Sequence, residues 1–212
     1  MGEIKLKLNE LIGMDNIYKQ LQYAIKSREI TQKIFPSLLV DGPSGTGKTQ
    51  LAESLADKLN YYFADYEAAS FNNREQIAQT IKTETNKATS KGQKLLLFLD
   101  EVHGFKSRSL QESLYYPMTD WRITTSTGEI KFPPFTLVAA TTMRHKLNPA
   151  FRNRFDIKLE LSRYSARDMA RILILHLWKQ NILYNMRAVA ILAHHCLGIP
   201  RDGIKYLNSC LD

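Results

Sequence analysis

Residues 42–49 read GPSGTGKT and so combine glycines, a lysine and a threonine at the spacing of a phosphate-binding loop. Glycines let the backbone N–H groups turn inward around a phosphate, and a helix that follows them presents its positive end. In such loops the lysine reaches the β- and γ-oxygens of a nucleoside triphosphate and the threonine hydroxyl ligates Mg²⁺. The sequence predicts ATP and Mg²⁺ as cofactors, bound by Gly42, Pro43, Ser44, Gly45, Thr46, Gly47, Lys48, Thr49 and Gln50.

A second chemical feature is the apolar run 95–99, which is followed directly by Asp100 and Glu101. A buried strand that ends in two carboxylates delivers them to the carboxyl edge of a sheet, where open α/β folds bind ligands. We expect Asp100 to hold Mg²⁺ and Glu101 to act as general base on the attacking water. The alternative interpretation is an ordinary strand followed by an acid that caps the next element and has no catalytic role. A small-molecule kinase with a phosphate loop needs no base for water, so Glu101 favours hydrolysis.

The elements that must position these residues alternate between strand and helix. Apolar runs predict strands at 37–40, 61–64, 94–99 and 135–140, and the alternation over 157–161 predicts an edge strand. Helices are expected from Asp15 to before Phe35, at 50–58 and at 73–90, and after residue 165 the pattern is helical only: 166–180, 186–196 and from 201 on. These patterns predict an α/β fold in which helices flank a parallel sheet, with a nucleotide-binding domain over 1–162 and a small helical lid domain over 163–212.

Composition and the absence of targeting patterns indicate which partners and which compartment the chain suits. The 212 residues carry 29 Lys and Arg against 21 Asp and Glu, a net charge of +8 that suits a polyanionic partner such as DNA, although a solvated basic surface is the alternative. Cys196 and Cys210 have no disulfide or metal spacing, which favours the cytoplasm. Residues 1–6 show neither a signal peptide nor a myristoylation pattern, and no apolar run is long enough to span a membrane. His194 and His195 are expected to be surface or core residues rather than metal ligands.

The order of the motifs resembles that of AAA+ ATPases. Residues 42–49 are similar to Walker A, 100–103 (DEVH) to Walker B and 140–142 (ATT) to sensor 1, and NPAFRNRFD follows at 148–156. Within this class the chain resembles the RuvB family of Holliday-junction branch-migration motors through LNELIG at 8–13, LYYPM at 114–118, PPFTL at 133–137 and GIPR at 198–201. The resemblance runs along nearly the whole chain.

The resemblance implies a role for each matching residue. Thr142 becomes the sensor that orients water or the γ-phosphate, Arg154 the arginine finger with Arg152 as the second candidate, and Arg201 the sensor of the lid. His103 is expected to pack beside the Walker B acids. The expected catalytic set is therefore Glu101, Lys48, Thr142, Arg154, Arg201 and Arg152, and the residues expected around the nucleotide beyond the loop are Leu11, Ile12, Tyr164, Pro200 and Arg201, with the first three lining the adenine pocket.

An arginine finger acts on the nucleotide of a neighbouring subunit, so the resemblance implies a homo-oligomeric ring, hexameric in this family, that moves or remodels DNA. Two departures leave an alternative open. The family continues into a winged-helix DNA reader, so this chain is either a fragment or a member without it. Residues 121–131 predict a β-hairpin shorter than the one with which the family grips its partner RuvA, and this hairpin meets another protein, lines the ring pore or only closes the sheet. The alternative is an ATP-controlled assembly switch, such as a loader or a transposition-type regulator, that recruits a protein partner on DNA.

Overall fold

The computed structural model describes residues 6–211. Residues 1–5 and 212 lie outside this range. The expectations about a leader or a lipid anchor concern residues 1–6, and most of these lie outside the described part. Residues 1–5 of the expected nucleotide-binding domain lie outside it for the same reason.

Five strands form one parallel sheet in the order β2-β3-β6-β1-β7. The phosphate-loop strand β1 is therefore interior, flanked by β6 and β7, while the alternating strand β7 lies at an edge as the sequence predicts. A parallel sheet flanked by helices confirms the predicted fold class. The strands are β1 (Leu38–Asp41), β2 (Tyr62–Glu67), β3 (Leu95–Asp100), β4 (Arg122–Thr125), β5 (Gly128–Lys131), β6 (Thr136–Thr141) and β7 (Ile157–Glu160).

The sheet is apolar on both faces because helices cover both. Alternate residues of β3 point to opposite sides: Leu97 packs with helix α3 in one cluster, and Phe98 packs with α1 and α2 in the other. This explains why β1, β3 and β6 read as unbroken apolar runs rather than as alternating ones. The helices of the body are α1 (Asp15–Thr31), α2 (Lys48–Leu59), α3 (Arg74–Ser90), α4 (Arg108–Glu112), α5 (Tyr115–Thr119) and α6 (Pro149–Arg152).

After β7 the described chain is helical, with α7 (Ala166–Lys179), α8 (Met186–His195) and α9 (Pro200–Ser209). These helices share a small core of their own, in which Met169 and Leu173 of α7 pack against Val189 of α8 and Leu207 of α9. A backbone hydrogen bond joins them to the body, from Arg201 N–H to Gly45 O at 3.3 Å, and Tyr164 N–H, in the segment that leads into α7, donates to Gly198 O at 2.9 Å. The domain limits at 162 and 163 stay a prediction.

The predicted hairpin at 121–131 is present as β4 and β5, which form an antiparallel two-stranded sheet of their own within residues 6–211. Its turn is tied to the start of α3, because the backbone N–H and the hydroxyl of Ser126 both donate to the Glu75 carboxylate at 3.1 and 3.0 Å. These bonds lower the pKa of Glu75. Across residues 6–211, none of the helices has both the length and the apolar character needed to cross a bilayer.

Candidate active site

The loop between β1 and α2 leaves its amides available to an anion. Gly42 N–H donates to Thr141 O at 3.2 Å, which fixes the loop to the end of the neighbouring strand β6. Gly47 is the N-cap residue of α2, at φ 95°, and has no side chain with which to cap the helix. The exposed N–H groups of a helix start, together with the helix dipole, favour bound phosphate. The phosphate loop therefore stands where the sequence predicts, at the carboxyl edge of the sheet.

The ammonium of Lys48 lies in the mouth of this loop. It donates to the carbonyl oxygens of Gly42 and Pro43 at 2.9 and 3.2 Å, and the side chain is almost completely buried. Burial lowers the pKa of Lys48, while the nearby carboxylates of Glu101 and Asp100 act in the opposite direction. The phosphate loop and the two acids after β3 are therefore close enough in space for the charge of Lys48 to interact with both carboxylates.

Glu101 is fixed by donors from the end of strand β6. Its Oε2 accepts from the backbone N–H of Thr142 at 3.0 Å and from the Thr142 hydroxyl at 2.9 Å. Glu101 itself has φ 47°, a left-handed conformation that is costly for a residue with a side chain. The general base and the sensor proposed from the sequence are therefore in direct contact.

His103 is a third member of this cluster. Its Nδ1 lies 3.0 Å from Oε2 of Glu101 and 3.0 Å from Oγ1 of Thr141. The ring therefore lies between the Glu101 carboxylate and the end of β6, with Nδ1 close to an oxygen of each. The sequence analysis treats His103 only as a packing residue. Its place two residues after Glu101 is a signal for the first contact, whereas the contact with Thr141 depends on the neighbouring strand β6.

The oxygen donors expected for Mg²⁺ are the Thr49 hydroxyl in the first turn of α2 and the Asp100 carboxylate at the end of β3. Residues 6–211 contain no cluster of three or more His, Cys, Asp or Glu side chains that could hold a metal. Mg²⁺ commonly takes one or two protein oxygens and completes its octahedron with phosphate and water. Thr49 and Asp100 fit that pattern, and neither His194 nor His195 belongs to it.

The lid reaches the phosphate loop through Arg201. Its Nη1 donates to the Ser44 hydroxyl at 3.0 Å, in addition to the backbone bond to Gly45. Gly45 has φ +77°, and a Cβ there would lie 2.8 Å from Cβ of Arg201 and 2.9 Å from Cγ2 of Ile199. Only glycine allows α9 to come this close. The expected lid residue is therefore placed against the loop.

Beside the loop, a cavity of about 110 Å³ brings together the residues expected around the base. Leu11, Ile12, Gln50, Tyr164 and Pro200 all line it. Its wall also includes residues that the sequence analysis missed, because they lie far apart along the chain and only the packing of the lid assembles them: Met14, Ile172, Leu175, His176 and Ile204.

Tyr164 joins this cavity to the loop. Its hydroxyl donates to Thr46 O at 3.0 Å, while the Thr46 hydroxyl donates to Pro43 O at 2.8 Å. Burial raises the pKa of Tyr164 to about 12, and the Asp168 carboxylate contributes. The phenol therefore stays protonated and holds the loop at neutral pH.

The backbone of Arg154, the first candidate finger, lies at the amino end of β1, away from the phosphate loop. The backbone carbonyl of Arg154 accepts from the Ser37 hydroxyl at 3.3 Å, and Ser37 precedes β1 whereas the phosphate loop follows it. Four strand residues at about 3.3 Å each separate these ends by roughly 13 Å. The Arg154 guanidinium lies 4.2 Å from the Tyr115 ring centre, and Nε of Arg152 is buried without a hydrogen-bond partner in the described chain.

Comparison with known proteins agrees with this geometry. The family described as Holliday junction DNA helicase RuvB P-loop domain matches residues 5–161. The RuvB subunit of the Holliday junction branch migration complex of Thermosipho melanesiensis is 31% identical over 97% of this chain and 66% of its own length, and that of Staphylococcus haemolyticus is 29% identical over 97% and 62%.

Solved structures give the same result. The P216G mutant of Thermotoga maritima RuvB superposes with a TM-score of 0.85 at 26% identity, covering 98% of this chain and 65% of that one. The T. maritima RuvB Holliday junction branch migration motor gives 0.82 at 26% identity, with coverages of 95% and 63%. This chain therefore spans about three-fifths to two-thirds of the length of these relatives. A nucleotide-binding P-loop domain that matches over residues 5–161 makes the chain a member of the RuvB family.

Proposed function

We propose that this chain binds ATP with Mg²⁺ and hydrolyses it within a ring of identical subunits to move or remodel DNA. The observation that carries the proposal is the convergence of Lys48, in the mouth of the phosphate loop, with Glu101, held by Thr142 at the same edge of the sheet. This is the arrangement needed to attack a bound triphosphate with water. The relatives named as branch-migration subunits support the DNA part.

The residues of this chain divide the chemical work. The amides of the loop and Lys48 bind the phosphates, and Arg201 adds a second cation from the lid. Mg²⁺ held by Thr49 and Asp100 would neutralise charge on the phosphates. Glu101 takes a proton from water as the water oxygen bonds to the γ-phosphorus and the bond to the bridging oxygen breaks. Thr142 holds the Glu101 carboxylate for this step, and His103 lies beside it.

The negative charge on the transferred phosphoryl group also needs a cation on the side that faces away from the phosphate loop. Arg154 lies roughly a strand length from the loop of its own subunit, which favours action on the nucleotide of a neighbouring copy. Arg152 is the second candidate, but its Nε is buried. A ring supplies such neighbours all around, and a hexamer is the size we propose. The free Cys196 and Cys210 suit a reducing cytoplasm.

The test is turnover with and without DNA, using a four-way junction and a linear duplex. Glu101→Gln removes the base and keeps the shape, so we expect ATP hydrolysis to fall by about 10²-fold or more while nucleotide binding and particle mass persist. Glu29→Gln changes an exposed carboxylate of α1 and serves as the control. A wild-type chain that takes up no ATP, or an E101Q variant that turns over like wild type, would overturn the proposal.

The alternative function is an ATP-controlled assembly switch that recruits a partner on DNA. The observation that favours it is the hairpin of β4 and β5, which forms a two-stranded sheet apart from the main one. The exposed hairpin of β4 and β5 offers such a partner a surface, whereas a motor would use it in the pore. Slow turnover that DNA leaves unchanged, together with nucleotide-driven filaments or partner capture, would support the switch over the motor.

A further inference from the structure

A second, larger cavity lies at the amino ends of the strands, at the end of the sheet opposite the phosphate loop. Its volume is about 770 Å³, and its walls come from the ends of α1 and α3 and from the base of the hairpin. The floor is apolar and buried: Leu95 begins β3, while Phe35 and Phe135 lie shortly before β1 and β6. Cavities of about 300–1,000 Å³ with mostly apolar walls are the usual size of ligand sites.

The base of the hairpin provides one wall of this cavity. Trp121, directly before β4, is half-buried and has φ 48°, a left-handed conformation that a bulky residue adopts only where the surrounding structure imposes it. Its carbonyl oxygen accepts from the Phe132 N–H at 2.7 Å, which closes the hairpin. Pro133 and Pro134 follow at the exposed rim, and their rings restrict the backbone. This wall is therefore held in place on both sides of the hairpin.

Three cations line the cavity without a counter-ion. Arg28 belongs to α1, Lys33 follows that helix, and Lys94 directly precedes β3. The ion pairs found within residues 6–211 all involve other cations. Among the described residues of the lining the acid is Asp156, and its Oδ2 already accepts from the backbone N–H and the hydroxyl of Ser37 at 3.1 and 3.0 Å. The cavity therefore has an excess of positive charge.

An apolar floor combined with unpaired cations selects a ligand that is apolar in one part and anionic in another. Exposed ion pairs contribute little affinity but determine which partners are accepted, so an apolar anchor must supply most of the binding energy. An acidic peptide with a large apolar side chain has both features. Single-stranded DNA needs a series of accessible aromatic faces for its bases, whereas Phe35 and Phe135 are buried here and Trp121 is half-buried.

We propose that this cavity is the docking site for an acidic peptide segment of a partner protein. An aromatic or large aliphatic side chain of the peptide fills the apolar space, and its carboxylates pair with Arg28, Lys33 and Lys94. The inference goes beyond the proposed function, because no nucleotide takes part in it. The four residues of β1 alone separate the cavity from the phosphate loop by roughly 13 Å. The strands β4 and β5 do not line it.

The test measures fluorescence anisotropy of fluorescein-labelled peptides in the absence of nucleotide, with the acidic sequence DEWLDE and its neutral counterpart NQWLNQ. We expect a Kd of about 100 μM or lower for DEWLDE and binding at least about fivefold weaker for NQWLNQ. Lys33→Glu combined with Lys94→Glu should weaken DEWLDE about tenfold and should allow the basic peptide KRWLRK to bind in its place. Lys19→Glu combined with Lys205→Glu makes the same change in net charge at exposed lysines of α1 and α9, and should alter neither affinity.

A second variant tests the cavity itself rather than its charge. Thr89→Trp places a large side chain at an exposed position of the lining, on α3, and should weaken DEWLDE and NQWLNQ alike by about fivefold or more. Thermal melting checks that each variant is folded. A T89W variant that binds both peptides like wild type overturns the proposal.

The remaining outcomes are equally decisive. Equal binding of the acidic and neutral peptides, a K33E/K94E variant that keeps wild-type affinity for DEWLDE, or no binding of DEWLDE at about 1 mM overturns the proposal. A labelled thymidine oligonucleotide is measured in parallel. If it binds, DEWLDE does not, and K33E/K94E abolishes its binding, the cavity is a site for single-stranded DNA instead. A chain that binds DEWLDE as expected but takes up no ATP overturns the proposed function and leaves this inference standing.

Discussion

Thr142 donates twice to a single oxygen of Glu101, through its backbone N–H at 3.0 Å and its hydroxyl at 2.9 Å. The two residues are 41 positions apart in the chain and meet because β3 and β6 are neighbours in the sheet. The backbone donor belongs to the fold, whereas the hydroxyl depends on the residue type. The hydroxyl can therefore be removed without disturbing the strand.

We predict that Thr142→Val lowers kcat for ATP hydrolysis by about 10- to 100-fold and leaves KM within about threefold, because the carboxylate loses one of its positioning donors. Steady-state ATPase kinetics at saturating DNA measures both constants. Thr124→Val, at an exposed position in β4, is the matched control. An increase in kcat would mean that the hydroxyl restrains Glu101, and would favour the assembly switch.

Arg154 provides a prediction about neighbouring subunits. If its guanidinium acts in trans, Arg154→Ala lowers turnover by about 10³-fold, and mixing it with E101Q restores part of the activity. The rescue arises at hybrid interfaces, where an intact Glu101 from one variant meets an intact Arg154 from the other. Turnover is measured across mixing ratios. Arg144→Ala, at an exposed arginine ten residues earlier in the chain, is the control, and absence of rescue at every ratio contradicts action in trans.

Arg152→Ala distinguishes the two arginines. Because its Nε is buried without a partner, we expect this substitution to change the free energy of unfolding more than it changes turnover. A mixture of R152A with E101Q should therefore show no more turnover than a mixture of wild type with E101Q. Rescue by R152A mixtures, with none by R154A mixtures, would reverse the assignment of the finger.

Gly45 offers a test of the contact between the loop and the lid. A Cβ in Gly45→Ala meets α9 and is also strained by φ +77°, whereas Gly92→Ala has similar strain at φ +67° but nothing within 4 Å. We predict a loss of about 1 kcal/mol of unfolding free energy for G92A and at least about 2 kcal/mol for G45A. Chemical denaturation measures both, and ATP binding should weaken in G45A alone. Equal losses would mean that the close approach of α9 is unimportant.

Tyr164 provides a prediction about pH. Its pKa is about 12 in the folded chain and about 10 when unfolded, so above pH 10 the unfolded state loses a proton that the folded state keeps. Unfolding free energy therefore falls as the pH rises, by about 1 kcal/mol between pH 9 and pH 11 from this group. Tyr164→Phe should lose that share of the slope in denaturation at both pH values, and Tyr23→Phe, at an exposed tyrosine, should not. Identical slopes in wild type and Y164F would contradict the effect of burial.

Local patterns predict much of this fold. The sequence alone reveals the apolar runs of β1, β3 and β6 and the glycines of the phosphate loop, because burial on both faces and sharp turns each allow few residue types. Strand β2 extends to Glu67, beyond the predicted 61–64, since its mixed burial pattern hides the later residues while pairing with β3 continues to Asp100. Pairing with a distant strand leaves little trace in the sequence of either one.

The site divides in the same way. Lys48 and Glu101 follow from motifs that are contiguous in sequence, and the resemblance to a family adds Thr142 and Arg201. The position of His103 beside the acids is expected, but its contact with Thr141 could not be predicted, because it depends on the neighbouring strand β6.

The double attachment of Arg201 to Ser44 and Gly45 has a mechanical consequence. It fixes the first turn of α9 to the loop, while the ten residues of the helix extend about 15 Å away. A tilt of about five degrees at the attached end would then carry the far end through roughly an ångström. A small rotation of α9 about its attached first turn therefore produces a larger displacement at its far end, and the attached turn lies next to the phosphate loop.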